Sequence, residues 1–249
     1  MGLPYENRVA LVTGASRGIG YAMAKVLARE GAHVIALART VGGLEELDDE
    51  IQAMGGQATL VPVNITDFDA LDRLGASIYE RWGKLDILIG NAGALGRLTP
   101  LGHLKPKEWD DTFAVNVTAN WRLIRSLDVL LRQSDAGRAV FMTSGAARNL
   151  HPYWGVYSTT KAALEALVKT YAHEVASTSL RVSLLNPGPV RTAMRAQAMP
   201  GENKENLASP SDVAEQLPIL LNQAVENGAI WDFVDGRLVL RPSREINGL

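Results

Sequence analysis

The chain contains no cysteine among its 249 residues. That absence excludes disulfides, thiolate nucleophiles and cysteine-ligated metals. Its four histidines, His33, His103, His151 and His173, are scattered and offer no metal-ligand spacing, so no metal site is expected. A surplus of one charge is missing too: 25 basic side chains face 27 acidic ones, a net of −2, and no dense Lys/Arg run occurs. Nucleic acid and an anionic membrane are thereby disfavoured as partners, and a small molecule is expected instead. The longest apolar runs are strand-length and Met1 to Arg8 is polar, which argues against a signal peptide or a membrane span. Gly2 is followed by Glu6 where a myristoylation signal has Ser or Thr. The expectation is a soluble cytoplasmic protein forming one α/β domain over 1–249, without repeats or low-complexity segments.

What is present alternates between strand and helix, the pattern of a parallel sheet covered on both faces. Seven strands are predicted, at Val9 to Thr13, His33 to Ala38, Thr59 to Val63, Asp86 to Ile89, Arg138 to Met142, Arg181 to Asn186 and Ile230 to Phe233. Helices are predicted at Ile19 to Glu30, Leu44 to Met54, Asp67 to Trp82, Lys107 to Gln133, Tyr157 to Ala176 and Ser211 to Leu221. Only Met199 to Pro210, rich in Pro, Gly, Asn and Ser, reads as a linker.

The chemistry concentrates between Val140 and Ala176. Tyr157 and Lys161 stand four apart on a predicted helix and share one face. A free phenol, with a pKa of about 10, exchanges protons poorly near neutrality unless a cation stabilises its phenolate, and Lys161 is placed to be that cation. Ser144, in the turn leaving the preceding strand, is placed to face the phenol across a substrate oxygen. Alone, the pair also fits a phenol at the edge of the core with a lysine snorkelling past it. Against that, the stripe Tyr157, Lys161, Leu164, Val168, Tyr171 and Val175 is what the helix buries, and a lysine within it needs a reason.

The first strand runs into Thr13-Gly14-Ala15-Ser16-Arg17-Gly18-Ile19-Gly20 and then directly into a helix. Glycines there let the backbone turn tightly beside a pyrophosphate, whose charge the free N–H groups of the helix start favour. The spacing differs from G-x-G-x-x-G. The second strand ends Leu37-Ala38-Arg39-Thr40, without the acid that binds the 2′-OH of NAD. Arg39 and Arg17 together suit a 2′-phosphate and favour NADP over NAD, while either alone also reads as a solvent-facing charge.

Thr13-Gly14-(x)3-Gly18-x-Gly20, Asn91-Ala92-Gly93, Asn116, Ser144, Tyr157-(x)3-Lys161 and Pro187-Gly188-(x)3-Thr192 follow one another in the order and spacing of the short-chain dehydrogenases/reductases, which this chain resembles over essentially its whole length. The resemblance implies a Rossmann-type doubly wound parallel sheet of order 3-2-1-4-5-6-7, helices on both faces, and a nicotinamide cofactor across the strand C-terminal edge. It implies Tyr157 as general acid or base, Ser144 as holder of the substrate oxygen, Lys161 as ribose ligand and modulator of the phenol, and Asn116 as holder of a relay water. It implies cofactor contacts from Gly14, Ser16, Arg17, Gly18, Ile19, Gly20, Arg39, Asn64, Ile65, Asn91, Ala92, Gly93, Pro187, Gly188, Val190 and Thr192. Three departures stand out: Gly90 where the family usually has a second asparagine, Asn64 where many members have an aspartate, and only part of the closing pattern in Val234-Asp235-Gly236-Arg237.

Trp109, Phe113, Val117, Trp121 and Ile124 form a stripe expected to pack on the sheet, while the resemblance implies a homodimer or homotetramer through such helices. The segment 189–210 is expected to cover the pocket, bringing Arg191, Met194, Arg195 and Met199, with His151, Tyr153 and Trp154 opposite. Methionines and aromatics suit an apolar ketone or alcohol; an arginine suits a carboxylate or phosphate, or merely solvent. Three activities stay open: an NADP-preferring carbonyl reductase or alcohol dehydrogenase, a lyase or isomerase using the cofactor transiently, and a cofactor-binding regulator without turnover.

Overall fold

The structure is a computed structural model that describes residues 2–222 and 226–242. Alternating apolar strands and amphipathic helices run in the order β1 (Val9–Thr13), α1 (Gly18–Arg29), β2 (His33–Leu37), α2 (Val41–Ala53), β3 (Gln57–Val61), α3 (Phe68–Trp82) and β4 (Ile87–Gly90). The second half continues with α4 (Pro106–Phe113), α5 (Ala119–Gln133), β5 (Arg138–Met142), α6 (Ala146–Asn149), α7 (Gly155–Glu174), β6 (Arg181–Asn186), α8 (Ala193–Ala198), α9 (Pro210–Ala214), α10 (Leu217–Asn222), β7 (Ile230–Val234) and β8 (Arg237–Leu240).

All eight strands join one sheet of order β3-β2-β1-β4-β5-β6-β7-β8. Neighbours are parallel from β3 through β7, as right-handed crossovers through helices require. Successive β1 side chains alternate between two cores: Ala10 and Val12 meet Met23, Leu27 and Leu47, whereas Val9 and Leu11 meet Leu71, Leu123 and Leu127. Burial on both faces is why these strands read as unbroken apolar runs.

The sheet has eight strands, not the seven expected from sequence. Asp235 and Gly236 have φ of 47° and 79°, a two-residue turn with both centres left-handed, and it folds Arg237–Leu240 back antiparallel onto β7. The expected helix from Lys107 to Gln133 is also divided. A π turn at Ala114–Thr118 separates α4 from α5 and carries Asn116. The expected stripe along this helix does not pack on the sheet as a whole. Trp109, Phe113 and Val117 are half-buried and Trp121 is 44 % exposed; of the stripe only Ile124 joins the α5 core, with Ala119, Leu123, Leu127, Leu130 and Leu131. On α7, by contrast, the predicted stripe from Tyr157 to Val175 is buried throughout.

Candidate active site

The loop leaving β5 and the first turns of α7 lie at the C-terminal edge of the sheet, and they bring Ser144, Tyr157 and Lys161 together. Tyr157 is 8 % exposed and packs with Leu95 and Ala146. Burial pushes its phenol above the ordinary value, and the nearby Ser144 hydroxyl pulls it back. Lys161 is 4 % exposed, and its Nζ donates to the Met142 carbonyl at 2.7 Å. Burial lowers its pKa to about 8, with Glu165 opposing. The ammonium lies 5.8 Å from the centre of the Tyr157 ring, committed to the backbone rather than to the phenol.

Asn116 is fully buried in the π turn. Its Oδ1 accepts from the Ala94 N–H at 2.8 Å, and its Nδ2 donates to the Ala94 carbonyl at 2.8 Å and the Thr160 hydroxyl at 2.9 Å. Its own carbonyl accepts from Asn120 Nδ2 at 2.9 Å. The side chain thus ties the loop after β4 to α7 beside Lys161. Gly93 sits in the same corner, a Cβ there lying 3.5 Å from Asn116 Oδ1 and 3.7 Å from Lys161 Nζ.

The glycine-rich turn joins β1 to α1. Gly14 has a φ of 67°, and a side chain on it would press on Asn91 and Ala92. A Cβ on Gly20 would collide with Asn91 and the Gly14 carbonyl, so the first helical turn lies directly on the strand. Asn91 Nδ2 donates to the Thr13 carbonyl at 2.9 Å, while Thr13 Oγ1 accepts from the N–H groups of Asn91 and Ala92 at 3.0 Å each. Ser16 and Ile19 flank this turn and are half-buried. Arg17 and Arg39 are exposed, and neither makes an ion pair or side-chain hydrogen bond among the described residues. Asn64 is exposed, its Oδ1 accepting from the Thr66 N–H at 3.2 Å, and Ile65 packs on the core beneath it. Gly90 ends β4 against Phe141 and Asn120, which fill the space a second asparagine would need.

After β6 come Pro187 and Gly188, then Val190, buried and bridged to Ala208. Thr192 Oγ1 caps α8 by accepting from the Arg195 N–H at 3.2 Å, and its methyl lies 3.7 Å from where a Gly18 Cβ would stand. The sequence-predicted linker from Met199 to Pro210 carries structure: a 3-10 turn at Lys204–Asn206 and a Ser209 capping box that starts α9. Arg195 is bonded to Glu202 within this segment, so its charge is spent on the segment's own fold. Met194 and Ala198 pack with Leu98 and Trp154 around the Tyr157 cluster, and the Trp154 ring stands edge-on to Tyr157 at 6.0 Å. His151 and Tyr153 point to solvent.

Sequence reasoning missed Thr143, Glu165, Asn186, Asp232 and Arg241, which form a partly buried polar network behind Ser144. Only Asn186, next to Pro187-Gly188, carried any local signal.

Comparison with known proteins agrees with this geometry. The family model for short chain dehydrogenases matches residues 8–203. The uncharacterized oxidoreductase YciK of Escherichia coli (strain K12) is 37 % identical over 211 residues, 84 % of this chain and 83 % of that protein. The 3-oxoacyl-[acyl-carrier-protein] reductase FabG of the same organism is 34 % identical over 190 residues, 76 % of each chain. A protein of Shigella flexneri 2a strain 301, described as a short chain dehydrogenase and solved in complex with NADP, superposes with a TM-score of 0.86 at 34 % identity, covering 93 % of this chain and 99 % of that one. The chain, with its tyrosine and lysine buried at the strand ends and its glycine turn at the first helix, belongs to the short chain dehydrogenase family.

Proposed function

We propose that the protein is an NADP-preferring oxidoreductase that interconverts a ketone and a secondary alcohol whose flanks are apolar. The observation that carries this reading is Tyr157, buried between the Ser144 hydroxyl and an apolar wall of Leu95, Leu98, Trp154, Met194 and Ala198. A carbonyl is the group such a phenol and hydroxyl serve, and the wall offers no charge to hold an ionic substituent. Similarity to 3-oxoacyl reductases supports a carbonyl substrate.

The residues present fit a nicotinamide dinucleotide. Gly14 and Gly18 hold left-handed conformations at the start of a 12-residue helix, whose first N–H groups favour a pyrophosphate. Arg17 and Arg39, uncommitted to any carboxylate among the described residues, are available to a 2′-phosphate, and the solved NADP complex of a relative supports that choice. Ser16, Ile19, Gly20, Asn64, Ile65, Asn91 to Gly93, Pro187, Gly188, Val190 and Thr192 complete the proposed binding surface. When bound, the dinucleotide supplies or takes the hydride.

The chain's own residues manage the proton. In reduction Ser144 donates a hydrogen bond to the substrate oxygen, and the Tyr157 phenol delivers its proton there; in oxidation the phenolate takes it back. Lys161, anchored on Met142, is placed to turn to a ribose, and Asn116 holds the Ala94 loop and α7 together around it. The segment 189–210 covers the pocket as part of one domain spanning 1–249. The half-buried Trp109, Phe113 and Val117 and the exposed Trp121 support a homodimer or homotetramer through α4 and α5. No helix among the described residues is long and apolar enough to cross a membrane, and the cysteine-free composition suits the cytoplasm that we propose.

The test is a panel of ketones, apolar and anionic, assayed with NADPH and with NADH. Turnover confined to apolar-flanked ketones with NADPH favoured supports the reading; preference for a carboxylate-bearing ketone, or for NADH, overturns it.

A further inference from the structure

Ser144 lies between two residues whose hydrogen bonds lead to acids. Before it, Thr143 Oγ1 donates to Glu165 Oε1 at 2.7 Å. After it, the Gly145 N–H donates to Asn186 Oδ1 at 3.1 Å, and the same oxygen accepts from the Gly188 N–H at 3.2 Å. Asn186 Nδ2 in turn donates to Asp232 Oδ1 at 2.8 Å. One arginine closes the circuit. Arg241 grips Asp232 with Nε at 2.9 Å and Nη2 at 2.5 Å, and reaches Glu165 with Nη1 at 3.3 Å.

Thr143 and Arg241 are buried and the others half-buried: the side chains of Arg241, Glu165 and Asp232 are 6 %, 12 % and 21 % exposed. Burial works against the Asp232 carboxylate, but Arg241 and Asn186 outweigh it and hold it ionised. A guanidinium suits this place because its planar fork serves one acid with two donors and still has a third for the other. Arg241 arrives there only because the antiparallel β8 turns the chain back across β7.

We propose that Arg241 is a positioning residue for the reaction. By bridging Glu165 and Asp232 it fixes the backbone on both sides of Ser144, and through Asn186 the Gly188 turn, so that the serine hydroxyl is held in place for the substrate oxygen. This rests on the role given to Ser144 above. The competing reading is a staple that merely fastens the C-terminal hairpin, and Thr143 separates the two, since Thr143→Val cuts one tether and leaves the Arg241 bridge and hairpin intact.

The experiment compares Thr143→Val, Arg241→Lys and Arg241→Met with the parent by steady-state kinetics, NADPH affinity, thermal melting and hydrogen exchange of the peptide covering 144–148. Small misplacements at a reacting centre cost up to about 100-fold. Thr143→Val is expected to lower kcat about tenfold, with melting lowered only by what one lost hydrogen bond costs, unchanged NADPH affinity and faster exchange at 144–148. Arg241→Met is expected to lose about 100-fold, and Arg241→Lys to recover part of it. Wild-type kcat and exchange in Thr143→Val, or losses in the Arg241 variants that vanish once corrected for folded fraction, overturn the proposal. The exchange measurement needs no substrate. A parent without turnover on any ketone therefore counts against the reaction, and unchanged exchange at 144–148 counts against the tether.

Discussion

At the N-terminal end of the parallel strands Asp86 is 1 % exposed and accepts four hydrogen bonds, from the Val9 N–H at 2.9 Å, Ser134 at 2.6 Å, Arg8 at 2.9 Å and Lys84 at 3.0 Å. At the C-terminal end Lys161 is 4 % exposed and donates to a single carbonyl. Both charges are buried, but their surroundings act in opposite senses. Burial disfavours the Asp86 carboxylate, and its four partners reverse that and hold its pKa below the ordinary range. Burial of Lys161 is not reversed, and its pKa falls to about 8. A charge satisfied from every side serves the fold. One left short of partners costs the fold and is kept where chemistry needs it.

The largest effect expected from testing this contrast is at the open end. Tyr157→Phe keeps the ring and its packing and removes only the proton, so kcat should fall by about 100- to 10,000-fold while the melting temperature and NADPH affinity hold. Retention of near-parental kcat would remove Tyr157 from the chemistry. Asp86→Asn at the closed end should behave conversely. It leaves Arg8 and Lys84 facing a neutral amide and should cost about 2 to 3 kcal/mol of stability, read by urea unfolding, with activity per folded molecule unchanged. A carboxylate whose folded pKa is depressed stabilises above its unfolded value and loses that contribution as pH falls through the folded one. The gap between parent and variant should therefore close in acid, below about pH 4.

The two ends also differ in how far the sequence exposes them. Tyr157 and Lys161, and the glycines from Gly14 to Gly20, declare themselves because four- and six-residue spacings are set by one helix or one turn. The network behind Ser144 joins Asn186 to Asp232 across 46 positions and Glu165 to Arg241 across 76, and no local pattern encodes such pairs. Asp235-Gly236 did carry a hairpin signal, but read as a remnant of a closing motif it concealed β8 and with it Arg241. The Trp109 to Trp121 stripe shows the limit of periodicity. It places residues on one face without saying what that face meets.

Lys161→Met should make the protein more stable. An ordinary lysine near 10.5 held at about 8 in the fold corresponds to roughly 3 kcal/mol spent below pH 8, from which about 1 is deducted for the lost bond to Met142. The sign follows from proton binding: between about 8 and 10.5 the unfolded chain holds the proton that the folded chain has released, so parental stability rises with pH across that window. The advantage of the variant, about 2 kcal/mol at neutral pH, should shrink from pH 8 upward. A variant less stable than the parent at pH 7 would mean that Lys161 is held by more than one carbonyl.

The smallest effects compare two arginines. Arg8, at the closed end, is bonded to Asp86 and Asp135, whereas Arg39, just beyond β2 at the open end, has no carboxylate partner among the described residues. Arg8→Met should lower stability by about 1 kcal/mol, because part of the pair is exposed, and should leave the NADPH to NADH affinity ratio alone. Arg39→Asp should do the reverse. Its carboxylate repels a 2′-phosphate and accepts from a ribose 2′-OH, so the ratio should fall by about tenfold or invert, with no change in melting temperature. Arg17 continues to attract the phosphate, which is why the loss stays modest. Dissociation constants for both dinucleotides, measured by fluorescence on parent and variants, decide the matter. An unchanged ratio in Arg39→Asp would place recognition of the phosphate elsewhere, and a changed one in Arg8→Met would show that the two ends of the sheet are not independent.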